Sequence, residues 1–159
     1  MKTNALRIIE KLGIPYEIRE YQVDENDLSA THVAGDIGLP SEQVFKTLVV
    51  RGDKTGVLLA CIPSDRELDL KELARASGNK KADLVPLKEV LVLTGYVRGG
   101  VSPVGTKKRF PVFLDKSALN WPFISMSAGA RGCQMLLNPA DLGKVVDVKI
   151  QEISKESTS

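Results

Sequence analysis

Apolar and polar positions change period several times along the chain, and each change marks an element. Ala5, Leu6, Ile8, Ile9 and Leu12 recur at helical spacing, with Thr3 placed to cap a first helix and Gly13 to stop it. After Pro15, residues 16–21 alternate apolar and charged side chains, the period of a half-exposed strand, with Tyr16 and Ile18 expected to face inward. The polar run Asp24-Glu25-Asn26-Asp27 predicts a loop. Ser29 then caps a short helix to Ile37, ended by Gly38 and Pro40.

The strongest signal is Val44-Phe45-Lys46-Thr47-Leu48-Val49-Val50-Arg51, a β-branched and apolar run entering a hairpin turn over 52–56. Its partner, 56–62, is apolar on both faces and therefore interior. Lys46 breaks the pattern. Side chains alternate along a strand, so Lys46 shares a face with Val44, Leu48 and Val50. A cation among apolar neighbours must find a carboxylate, snorkel to a rim, or line a cleft for an anionic or carbonyl-bearing ligand.

Beyond the hairpin, Asp69 or a neighbour opens a helix over 70–76 that ends at Gly78, and Asn79-Lys80-Lys81 reads as an exposed basic step. Residues 83–85 form a short strand, and 87–93 a helix begun at Pro86. Strands are predicted at 110–114, with Pro111 suggesting an edge, at 123–127 and at 145–153. A small-residue loop over 128–132 separates the second of these from Met135-Leu136-Leu137, and Pro139 begins a turn of helix. Strands interleaved with helices give a mixed α/β class: a single domain over 1–159 with a curled, barrel-like mixed sheet and helices outside, and 155–159 as a flexible tail.

Charge adds little. The 22 basic and 20 acidic residues leave +2, which permits a nucleic-acid partner without announcing one. Short apolar runs and the lack of a leader pattern predict a cytoplasmic chain with no membrane partner. Cys61 and Cys133 have no metal-ligand spacing and read as reduced, buried small hydrophobes, and the lone His32 as a structural or surface residue.

The candidate chemistry is therefore narrow. No HExxH, CxxC, GxxxxGK[ST] or histidine-centred triad is present, and no cofactor or metal is expected. Residues 95–109 hold four glycines, one proline and four cations, a loop able to bring backbone N–H groups and positive charge to a ligand, or simply to connect two elements.

Four pieces in order along the chain resemble the YbaK/EbsC type of aminoacyl-tRNA deacylase, free-standing relatives of the editing domain of bacterial prolyl-tRNA synthetases. They are Val44-Phe45-Lys46-Thr47-Leu48; Leu68-Asp69-Leu70-Lys71 with Gly78 and Lys80-Lys81; Gly95-Tyr96 with Gly99-Gly100-Val101-Ser102-Pro103-Val104-Gly105 and Lys107-Lys108; and Ser127 with Gly129, Arg131 and Gly132. The resemblance implies a pocket for the aminoacyl-adenosine end of tRNA, with Lys46 as its central residue. Gly99, Gly100 and Ser127 would lie near the ester, Tyr21, Gly129 and Gln134 would contact substrate, and Lys80, Lys81, Lys107 and Lys108 would meet tRNA phosphates. It further implies removal of cysteine from mischarged tRNA(Pro), the substrate thiol attacking its own ester, with prolyl-tRNA synthetase as a partner. Gln134 stands where that branch carries an aspartate suited to an α-ammonium. Release of alanine or serine by water, and a non-catalytic tRNA- or nucleotide-binding role, stay open beside it.

Overall fold

The computed structural model describes residues 2–157. Helix α1 (Asn4–Lys11) is capped by the Thr3 hydroxyl, which accepts the Leu6 N–H, and it buries Ala5, Leu6 and Ile9. Strand β1 (Glu17–Glu20) follows, then α2 (Ala30–Ile37), capped by Ser29 and closed by Gly38 at φ +73. The predicted hairpin is β2 (Phe45–Gly52) against β3 (Gly56–Pro63), with Lys46 opposite Ile62. After β4 (Arg66–Leu68), α3 (Leu70–Ser77) starts on the Asp69 cap. Next come β5 (Ala82–Leu84), α4 (Leu87–Thr94), the irregular glycine loop, β6 (Val112–Asp115), β7 (Ile124–Ala130), β8 (Cys133–Leu137), β9 (Val148–Gln151) and β10 (Ser154–Glu156).

The strands form a mixed five-stranded sheet in the order β5-β2-β3-β6-β9, an antiparallel sheet β1-β8-β7, and a pair β10-β4. Both faces of the large sheet are covered. Phe45, Val49, Leu59, Cys61, Val112 and Leu114 pack with α1, β7 and β8. Val50, Leu58, Ala60, Ile62 and Phe113 pack with Leu73 and Ala74 of α3 and with Ile153. That double burial is why β3 is apolar throughout.

No described sheet closes or curls into a barrel, so the expected barrel-like sheet is corrected to three separate ones. β2 has only two edges. β3 occupies one along its length, while the other is shared by β5 at 50–52 and a single parallel bridge from Val44 to Ser125 in β7. The Val49 carbonyl accepts the Val85 N–H at 3.0 Å just past β5, so the edge left without a strand beside it is that over 46–48.

Several local expectations also change. Pro111 does not mark an edge: β6 lies between β3 and β9, and the missing Pro111 N–H precedes the strand, where its carbonyl accepts from Leu59 at 2.9 Å. Ile18 is 37% exposed rather than inward. Asn79 is buried, because its side chain accepts from the Lys54 and Thr55 N–H groups and donates to Thr55 Oγ1 and Ser77 Oγ. The 128–132 loop is mostly strand, with a bulge between Ser127 and Ala130. The last predicted strand, 145–153, is shortened to β9, and β10 follows beyond it, where Lys155 and Glu156 of the expected tail pair with β4, while residues 158–159 lie outside the described residues. No described helix is long and apolar enough to cross a membrane.

Candidate active site

The unpaired edge of β2 opens into a cleft of about 400 Å³. Five consecutive residues, Phe45, Lys46, Thr47, Leu48 and Val49, form its central wall. Leu28, Ser29, Ala30 and Val33 close one side; Leu84, Val85, Leu87 and Val90 close another. Arg98, Gly99 and Val101 of the glycine loop and Ser127 and Gln134 of β7 and β8 complete it. An apolar cavity with a few convergent polar groups is the usual form of a small-ligand site.

Lys46 Nζ donates to the Ser64 carbonyl at 3.2 Å. Ser64 is itself fixed, its N–H donating to the Val44 carbonyl at 2.8 Å and its hydroxyl to the Ser41 carbonyl at 2.7 Å. Partial burial holds the Lys46 ammonium below the ordinary lysine range, and the charges of Asp65 and Glu67 pull it back part of the way. The inward cation is thus neither fully paired nor free in water. Its remaining N–H groups have room for an acceptor in the cleft.

Tyr96 anchors the glycine loop. Its hydroxyl donates to the Val104 carbonyl at 2.7 Å, and burial pushes its pKa up to about 12. Gly129, at φ +101, sits against this ring: a Cβ there would lie 2.8 Å from Tyr96 Cε1. Gly100 packs on the 130–131 backbone, where a Cβ would meet Arg131 N at 3.0 Å, and its N–H already donates to the Val97 carbonyl. Of the loop residues that line the cleft, Arg98, Gly99 and Val101 each keep a backbone N–H with no acceptor among the described residues. Arg131 Nε donates to the Arg98 carbonyl at 2.7 Å and so ties this turn to β7.

Of the residues named from sequence, Lys46, Gly99, Ser127 and Gln134 come together in the cleft lining. Ser127 Oγ accepts the Gly129 N–H, leaving its own hydrogen to donate. Gly100, Gly129 and Tyr21 stand behind that lining; Tyr21 packs on Ala34, Ile37 and Val44. Lys80 and Lys81 are exposed at the β2–β3 turn, their N–H groups on Asp53 Oδ1, about 20 Å along β2 from Lys46 at the usual strand rise. Lys107 and Lys108 are exposed where the glycine loop returns to the end of α4.

Sequence reasoning missed Ser64, which reaches Lys46 only because the hairpin closes, and nothing local signals it. Arg98 was read only as one of the four cations of the glycine loop, and the structure is what sets it apart from the others by placing it in the cleft lining. The cysteines are buried as expected; Cys61 lies 3.5 Å from Thr47 Oγ1 and burial pushes its thiol up to about 12, so it supplies no thiolate near neutral pH. His32 sits near Asp27 and Asp36 on the outer side of α2, and no described cluster of His, Cys, Asp and Glu is arranged to hold a metal.

The model of the aminoacyl-tRNA editing domain family matches residues 25–145. The chain is 45% identical, over 96% of its length and 93% of the relative's, to the "Putative Cys-tRNA(Pro)/Cys-tRNA(Cys) deacylase EbsC" of Enterococcus faecalis. It is 30% identical over 108 residues to part of the proline–tRNA ligase of Pelotomaculum thermopropionicum, covering 62% of this chain and 19% of the ligase. A crystal structure described as a "putative trans-editing enzyme for prolyl tRNA synthetase" superposes with a TM-score of 0.82 at 25% identity, covering 98% of this chain and 99% of that one. With the family match running from the loop before α2 through the cleft to the turn after β8, the chain belongs to the aminoacyl-tRNA editing domain family.

Proposed function

We propose that the protein is a cytoplasmic trans-editing deacylase that removes cysteine from mischarged tRNA(Pro), the terminal adenosine and its acyl group lying in the β2 cleft. The observation that carries this reading is the composition of the cleft: one half-buried ammonium, one guanidinium, free backbone donors, hydroxyls and an amide, with no cysteine, histidine or carboxylate among its lining residues. Such a site offers charge stabilisation and shape but no strong nucleophile. Substrate-assisted cleavage fits it.

The substrate thiolate attacks the ester carbonyl, a carbon–sulfur bond forms, and the bond to the 3′ oxygen breaks. The thiol proton ends on the released 3′-hydroxyl, and the acyl group leaves as a cyclic thiolactone. Lys46 and the Gly99 N–H stabilise the charge that develops on the carbonyl oxygen, and Ser127 holds the terminal ribose. Prolyl-tRNA synthetase would deliver the tRNA, and Lys80, Lys81, Lys107 and Lys108 would meet its phosphates.

The test is release from tRNA(Pro) charged with cysteine, alanine, serine or proline. Cysteine leaving as thiolactone is the expected result. Release of alanine or serine as free amino acid refutes the cysteine assignment, and salt-sensitive tRNA binding without release from any of the four refutes catalysis.

A further inference from the structure

The cleft lining contains two cations, Lys46 and Arg98, and no carboxylate. Asp65 and Glu67 act on Lys46 from outside that lining. On the β-sheet side, Arg19 stands directly opposite Gln134, its Nη1 on the Ile37 carbonyl, and Glu20 lies opposite Cys133. A positively charged α-nitrogen entering this cleft meets like charge and no ionic partner.

The polar group at the β8 wall is Gln134, 5% exposed and cross-strand from Ser127. Ser125, wholly buried, donates its hydroxyl to Gln134 Oε1 at 2.8 Å. That bond fixes the polarity of the carboxamide. Turned over, Gln134 would direct an N–H at Ser125, and the buried hydroxyl hydrogen would lose its acceptor. In the observed orientation the oxygen is used and Nε2 is left. No described buried side-chain nitrogen or oxygen lacks a partner, so Nε2, which has none in the protein, reaches accessible space in the cleft it lines.

We propose that Gln134, oriented by Ser125, selects the acyl group by presenting a hydrogen-bond donor, so that the cleft takes acyl groups whose α-nitrogen is uncharged, the acceptor being the lone pair of a free amine or, where the nitrogen is acylated, the oxygen of that acyl group. Gln134 is the specificity residue and Ser125 its positioning residue. This rests on the reading of the cleft as an aminoacyl-adenosine site.

Binding tests it separately from turnover. The probes are cysteinyl-adenosine analogues with an amide in place of the 3′ ester, one with a free α-amine and one acetylated, titrated calorimetrically at pH 7. The wild type is expected to bind the two within about threefold of each other. Gln134→Glu should favour the free amine by about tenfold or more, since a carboxylate pairs with an ammonium. Ser125→Ala should move the ratio the same way by a smaller factor, and Ser125→Thr should restore it; the ratio is independent of how much protein is folded. A wild type that prefers the free amine tenfold, a ratio unmoved in Gln134→Glu or Ser125→Ala, or failure of both analogues to bind overturns the proposal. Binding as expected with no release from Cys-tRNA(Pro) overturns the function proposed above and leaves this one standing.

Discussion

Replacing Lys46 by Met keeps the stem and removes the charge, which separates chemistry from folding. The lost bond from Nζ to the Ser64 carbonyl, 3.2 Å long, costs about 1 kcal/mol. Against that, the fold holds the ammonium below its ordinary range because of burial, so removing the charge relieves a cost already present at neutral pH. The substitution nearly conserves volume, and the net change in urea unfolding at pH 7 should stay within about 1.5 kcal/mol. Deacylation should fall about 100- to 1000-fold, the loss typical of one donor aimed at a developing oxyanion. The effect on rate therefore far exceeds the effect on stability. The sign of the pH dependence follows from the same shift. Between the depressed Lys46 value and the ordinary 10.5, the native state binds fewer protons than the unfolded one, so wild-type stability rises with pH across that window relative to Lys46→Met. Activity moves the other way: it rises as the substrate thiol ionises, then falls below the ordinary lysine range as Lys46 loses its proton. Lys46→Arg, which stays charged, should lose that alkaline fall. Deacylation of Cys-tRNA(Pro) from pH 6 to 10, corrected for spontaneous hydrolysis, with urea unfolding in parallel, measures both. A folded Lys46→Met protein within tenfold of wild-type rate would refute the reasoning, as would a loss of stability beyond about 3 kcal/mol.

Two further predictions concern the frame and the approach of tRNA. Gly129→Ala puts a Cβ 2.8 Å from the Tyr96 ring at a φ of +101, so urea unfolding should show a loss of about 1–3 kcal/mol; an unchanged midpoint would mean that the bulge relaxes freely. Replacing Lys80 and Lys81 together by Ala should flatten the dependence of log K on log salt for tRNA binding by about 1.8 if both meet duplex phosphates, with the rate at saturating tRNA unchanged because they lie far along β2 from Lys46. An unchanged slope would remove them from the interface.

Much of the frame was legible locally. Thr3 and Ser29 cap the helices they were expected to cap, Asp69 proves to be the cap of α3 rather than a neighbour, and Gly38 and Gly78 end their helices in the left-handed conformation as read, because capping and positive φ depend on the residue and its immediate neighbours. The hairpin of 44–51 with 56–62 followed from the turn and the alternation, and the structure gives it the register from Phe45–Pro63 to Gly52–Gly56. Lys46 stood out for the same reason: a cation on an apolar face is visible in one strand alone. Placement of β6 in the sheet interior was not legible, since Pro111 looks the same at an edge and just before a central strand. Nor was the burial of Asn79, which depends on the β2–β3 turn meeting the end of α3.

What the amino-acid sequence determined by itself was the set of elements, the inward lysine and, through four pieces in order, the family. Only the tertiary structure decided that β5 and β7 leave the β2 edge open between them, which makes a cleft where a closed sheet would have left none. It also decided that Gly100 spends its N–H on Val97 while Gly99 keeps its own, and that Ser125 turns the Gln134 amide. Periodicity and capping are short-range and survive in one dimension. Which donor stays free, and which edge stays unpaired, depends on what distant segments have already claimed.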